Sequence, residues 1–156
     1  MQKAGLKQLP MKSFSKISIL LPLVFSHCVA ANDQQRPLTS LSGRAEAGEL
    51  VFSDRDKGHC LLCHQFSASN APFQGTIGPS LDGVADRLSA AQLRFRIVDQ
   101  SRLNPSTVMP AYYRTDGLAQ VAEAYKDKTV LTAQEIEDLV AYLNAGSGKD
   151  VRVLDD

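Results

Sequence analysis

The residues Cys60-Leu61-Leu62-Cys63-His64 constrain this chain more than any other stretch. Two thiols three positions apart, with an imidazole directly after them, match the attachment motif of c-type haem: each sulfur forms a thioether with one porphyrin vinyl group, and the histidine ligates the iron. A redox disulfide of thioredoxin type would need a βαβ setting, and no strand-helix-strand alternation surrounds these residues. A zinc site would need further ligands. His27 and Cys28 lie in the amino-terminal segment discussed next, so only His59, Cys60, Cys63 and His64 remain, too crowded to close one tetrahedron. The pattern predicts one covalent haem c, held through Cys60 and Cys63 with His64 as an axial iron ligand.

Lys3, Lys7, Lys12 and Lys16 precede every acidic residue, the first of which is Asp33. An apolar block from Ile17 to Phe25 follows, then small residues at Val29-Ala30-Ala31. That order predicts a secretory signal over residues 1–31, cleaved after Ala30 or Ala31, and hence a periplasmic protein. The block is interrupted by Ser18 and Pro22 and falls short of the ~20 residues of a membrane span, so no span is expected in the mature form. A lipid anchor on Cys28 is the alternative, though Phe25-Ser26-His27 is a poor approach to a lipidated cysteine. Residues 32–156 keep 13 of the 17 basic residues and all 17 acidic ones, a net charge of −4 that argues against nucleic acid as a partner. Their only cysteines are the two of the haem motif, which leaves none for a structural disulfide.

Residues 32–43 are polar, with Pro37 and Gly43, and read as a flexible tether to a domain over 44–146. A helical pattern begins at Arg44 and places Gly48 where another helix crosses closely, against Val140, Tyr142 or Leu143. The loop from Ser67 to Gly83 is long enough to carry a function, here wrapping the haem edge. In it, Pro79 is expected to offer its carbonyl to the second ring nitrogen of His64, and Leu81 to pack on the haem. Ser89 and Gln92, and again Thr132 and Glu135, have capping-box spacing. The second opens a helix with Ile136, Leu139, Val140 and Leu143 on one face. Arg94 and Arg96 are candidates for a haem propionate, or else solvated. Residues 111–130 are expected as a loop with a short helix covering the methionine side, and 147–156 as a frayed tail.

Met109 is the only methionine beyond residue 31, and Pro105 and Pro110 bracket it in extended backbone. The other candidate sixth ligand, His59, shares the tight segment of the cysteines, so the axial pair is expected to be His64 and Met109.

Phe52, the Cys60–His64 motif, Gly78-Pro79-Ser80-Leu81, Val108-Met109-Pro110 and Leu139 to Leu143, in this order, resemble class I cytochromes c. Asp56-Lys57-Gly58, Asn104 to Pro110 and Leu131 to Leu143 are similar more narrowly to the SoxX family, the monohaem subunits of the sulfur-oxidising SoxAX complex. His59 and Leu62 stand where that family leads one to expect Asn and Ala. The resemblance covers about residues 44–146. It implies an all-α class I cytochrome c fold of three to five helices around one haem, and a SoxA-like dihaem or monohaem cytochrome as partner. It also implies a role as the electron acceptor while thiosulfate is joined oxidatively to a carrier-protein cysteine. Catalytic residues would then lie in the partner, and a small cytochrome c or another acceptor would take the electrons onward. Two other readings fit the same residues: a free-standing soluble electron carrier, and a ligand-binding or peroxidatic haem protein in which Met109 dissociates.

Overall fold

The structure, a computed structural model, describes residues 36–146; the expected signal segment, residues 32–35 of the expected tether and the tail at 147–156 lie outside them. The described residues form four α-helices and no strand: α1 (Ala45–Ser53), α2 (Val84–Arg87), α3 (Ala90–Asp99) and α4 (Ala133–Ala145). Single 3-10 turns lie at Cys60–Leu62, Gln100–Arg102 and Glu123–Tyr125. This is the expected all-α class.

Helices α3 and α4 begin where their caps require. The Ser89 hydroxyl accepts the Gln92 N–H at 3.3 Å and the Gln92 side chain accepts the Ser89 N–H at 2.9 Å; Thr132 and Glu135 do the same at 3.2 and 2.8 Å. The α4 face buries Ile136, Leu139, Val140 and Leu143, each worth about 1.5–3 kcal/mol relative to exposure. Helix α1 has no side-chain cap of its own; the Arg44 N–H donates instead to Asp138 Oδ1 on α4 at 2.8 Å.

Helices α1 and α4 cross at Gly48. A Cβ there would lie 2.0 Å from the Asp138 carbonyl oxygen and 2.7 Å from Tyr142 Cβ, so only glycine admits the contact. Of the expected partners Tyr142 is present, while Asp138 backbone takes the place foreseen for Val140 or Leu143. Beside the crossing, Phe52, Phe66 and Tyr142 form a ring cluster with centroids 5.4 to 5.6 Å apart, within the range of favourable tilted and edge-on pairs.

Two expectations are corrected. The segment read as a flexible tether is docked on α4 where it is described: the Leu38 N–H donates to Glu137 Oε1 at 2.8 Å and the Thr39 hydroxyl to Gln134 Oε1 at 2.9 Å. Polar side chains on α4 satisfy its backbone, which composition alone did not reveal. In the stretch 111–130 only Tyr112 is buried; residues 115–128 are exposed, and the short helix is one 3-10 turn.

Candidate haem site

Between α3, α4 and the two long loops lies a cavity of about 700 Å³, inside the range typical of cofactor sites. Cys60, Cys63, His64, Pro79, Leu81 and Met109, the residues singled out from the sequence, all line it. So do apolar side chains from all four helices, among them Phe52, Val84, Leu93, Ile97 and Leu139.

The cysteines are presented by the tight turn at Cys60–Leu62, closed by N–H donation from Cys63 and His64 to the Cys60 carbonyl at 3.1 and 2.9 Å. His59 enters this turn in the left-handed region, φ 43°, and lines the same cavity; its type tolerates that region better than most. Cys60 and Cys63 are not joined to each other in a disulfide. Burial pushes the Cys60 thiol up to about 12, opposite to the lowered value of a redox or nucleophilic cysteine. Among the described residues no group of three His, Cys, Asp or Glu side chains is placed to hold a metal ion.

The His64 ring is fixed from two sides. Its Nδ1 lies 2.7 Å from the Pro79 carbonyl oxygen; a carbonyl can only accept, so Nδ1 carries the hydrogen and Nε2 keeps its lone pair for a metal. Across the ring runs Gly78, where a Cβ would stand 2.3 Å from His64 Cε1. The loop is held in turn by Gly78 N–H to the Cys63 carbonyl and Leu81 N–H to the Gln65 carbonyl, both 2.8 Å. Arg87 binds the carbonyls of Asp82 and Ser80 at 2.7 and 3.1 Å.

Met109 comes from an extended segment organised by its own turns. The Ser106 N–H donates to Asn104 Oδ1 at 3.0 Å and the Met109 N–H to Thr107 Oγ1 at 3.2 Å. Tyr112, three residues on, is buried and donates its hydroxyl to the Gly58 carbonyl at 2.7 Å, tying the methionine segment to the chain two residues before the haem motif. Its phenol is pushed above its usual range by burial and by the neighbouring cysteines.

The two arginines grouped in the sequence part company. Arg94 is buried in an ion pair with Glu137 and lies outside the cavity, which corrects its candidacy for a propionate. Arg96 lines the cavity, donating one Nη1 hydrogen to its own helix at Gln92 O, 3.0 Å. Arg87 lines it too, while no Asp or Glu does. Gln100, another lining residue, which sequence reasoning passed over, has a buried Oε1 with no hydrogen-bond partner. An apolar cavity with two thiols, an oriented imidazole, a thioether and only cationic charge fits a haem, which is flat, apolar and carries two carboxylates.

Residues 45–147 match the family described as Cytochrome c. The sequence is 28% identical to cytochrome c-550 of Bacillus subtilis (strain 168) over 120 residues, 73% of this chain and 92% of that protein. A chain of the crystal structure of SoxXA from P. pantotrophus is similar at 35% sequence identity with a TM-score of 0.66, covering 72% of this chain and 88% of that one.

Proposed function

Because this chain belongs to the cytochrome c family, we propose that it works as the SoxX-type electron-transfer subunit of a periplasmic thiosulfate-oxidising complex. Its fold is that of class I cytochromes c, its cofactor a covalently bound haem c, and it is SoxX-like in sequence and structure. The observation that carries the reading is the convergence of Cys60, Cys63, His64 and Met109 on one cavity, together with the similarity to a SoxXA chain.

In this reading Cys60 and Cys63 would hold one haem by thioethers, and His64 and Met109 would be the side chains offered to its iron. When bound, the haem supplies an iron that gains or loses one electron between Fe(III) and Fe(II). His64, hydrogen-bonded to Pro79, keeps its ring plane and its basicity. Met109, a soft thioether, favours the reduced metal and so raises the potential, as an electron acceptor requires. With His64 and Met109 both offered to the metal, substrate would be kept off it and the sulfur chemistry would fall to the partner, a SoxA-type cytochrome. Joining a thiosulfate sulfur to a cysteine thiolate releases two electrons, so this subunit must pass each one on, to a small cytochrome or another acceptor, before taking the next. The order of Lys residues, apolar block and small residues over 1–31, read as a secretory signal, supports a periplasmic location.

The test is to mix the oxidised holoprotein with a SoxA-type chain, a carrier protein bearing its reactive cysteine, and thiosulfate, and to follow haem reduction by absorbance. Reduction that requires all three is the expected result. Reduction indifferent to thiosulfate, by a holoprotein that remains a monomer beside the SoxA-type chain, would return the chain to the free-standing carrier reading.

A further inference from the structure

The segment after the haem motif has a surface of its own. Between Gly58 and Leu81 there is no Lys, Arg, Asp or Glu, in a chain that is 22% charged. Many of those residues face solvent. Phe73 is 89% exposed, more than any other large apolar side chain among the described residues, and Ile77 and Leu62 are 70% and 59% exposed.

This exposure is built in. The Gln74 side chain accepts the Phe66 N–H at 2.6 Å and donates to the carbonyls of Ser69 and Ala71, each at 3.2 Å, so one amide organises the loop from inside. The Gly75 N–H donates to the Leu61 carbonyl at 2.8 Å, and the Leu62 carbonyl oxygen occupies the space a Cβ at Gly75 would need. The loop is therefore pressed against the turn that carries Cys60 and Cys63, and Phe73 is presented from a preorganised frame. Beside it lies a shallow, largely polar crevice of about 390 Å³ lined by Gln65, Ser67, Ala71, Pro72, Gln74 and, at its edge, Asp82. Preorganised aromatic side chains are the residues that anchor interfaces, because little entropy remains to be lost on binding.

We infer that the loop Gln65–Ser80, anchored by Phe73 and flanked by Leu62 and Ile77, is the face through which this chain binds its SoxA-type partner cytochrome, an inference that rests on the function proposed above. Charge separates a lasting partner from a passing one. Transient electron-transfer encounters are steered by charged surfaces, whereas the cores of permanent interfaces are depleted of charge and rich in aromatic and apolar groups. This face has the second composition, with charge resuming only at Lys57 and at Asp82. It also adjoins the haem cavity, which Ile77 lines, so a partner seated here is within short reach of the redox centre.

The test uses the secreted holoprotein co-expressed with an affinity-tagged SoxA-type chain, comparing wild type with Phe73→Asp, Phe73→Ala and, as a control on another exposed apolar residue, Leu50→Asp. The expected result is a loss of pairing by more than about tenfold in both Phe73 variants, with an unchanged haem spectrum and full pairing in Leu50→Asp. Wild-type pairing in the Phe73 variants would overturn the inference and leave the proposed function standing. A homodimer that Phe73→Asp splits while pairing with the SoxA-type chain persists would overturn it in favour of a contact between copies. A wild-type chain that does not pair at all would remove both.

Discussion

Arg94 and Glu137 meet in a two-point ion pair, Nε to Oε1 and a second guanidinium nitrogen to Oε2, both at 2.6 Å, with each side chain only 6% exposed. Glu137 Oε1 also accepts the Leu38 N–H, so one carboxylate joins α3, α4 and the segment before α1. Removing one partner of such a buried pair leaves an uncompensated charge, at a cost of about 3–5 kcal/mol. Glu137→Ala is expected to destabilise the holoprotein by that amount in denaturant unfolding. The double variant Arg94→Met with Glu137→Leu should cost much less. A single variant unfolding at the wild-type midpoint would show the pair to be incidental.

Gly78→Ala places a methyl group where the His64 ring now lies. The ring must turn away from the Pro79 carbonyl, losing the hydrogen bond that fixes its plane. Haem loading is expected to fall, and the protein that does load should show a weakened histidine signature in its absorption spectrum. Holoprotein yield per chain, read from haem stain against total protein, checks it.

In the proposed ligation Met109→Ala removes the soft ligand and leaves the thioethers intact. The haem should stay attached through acid extraction, the weak far-red band of methionine bound to Fe(III) should vanish, and the midpoint potential should drop. Retention of that band in the variant would assign the sixth position to another side chain.

Arg96 is a cation on the wall of a cavity that no carboxylate lines. Paired with a haem propionate it would offset negative charge near the iron and hold the propionate ionised. Arg96→Ala is expected to lower the midpoint potential and to move the pH dependence of that potential upward, with Arg96→Lys recovering part of both. Arg102, which lies over the Phe95 ring and does not line the cavity, serves as the charge control and should leave both unchanged. Potentiometric titration across pH separates these outcomes.

Burial pushes the Asp99 carboxyl up, but the Ser101 hydroxyl and N–H and the Arg114 guanidinium outweigh it, and the group ends below its usual range. A carboxyl depressed in the folded state contributes stability that is complete above its unfolded value, near ~4, and lost as pH falls from there through the folded value. Glu135, held down by Lys57 and the Thr132 cap against its own burial, acts in the same direction. Thermal stability is expected to be flat from neutrality to about pH 5 and to decline below about pH 4. In Asp99→Asn that decline should be shallower.

Much of this molecule could be read from its sequence because the deciding interactions are local. The capping boxes at Ser89 and Thr132 need only residues three apart, and the Pro79 carbonyl follows from His64 needing a partner on the next loop. What escaped depends on distant chain. The docking of Leu38 rests on Glu137, 99 residues away, and a polar segment carries no mark of the side chain that will satisfy it. Arg94 and Arg96 differ only in which side of α3 they occupy, a distinction fixed by Glu137 on another helix. Nothing in the composition around Gln74 revealed that its amide would organise a loop.

The crossing at Gly48 has a consequence for how the protein is made. Helix α1 is among the first parts of the domain to be synthesised and α4 the last, so Val51 and Phe52 have no helical surface to cover them until residue 145 has been added. Through that interval Cys60 and Cys63 belong to an open stretch of polypeptide, where both sulfurs of the proposed thioether attachment are within reach. Arrival of the final helix closes the interval, and a chain clipped before Ala133 would be left permanently without it.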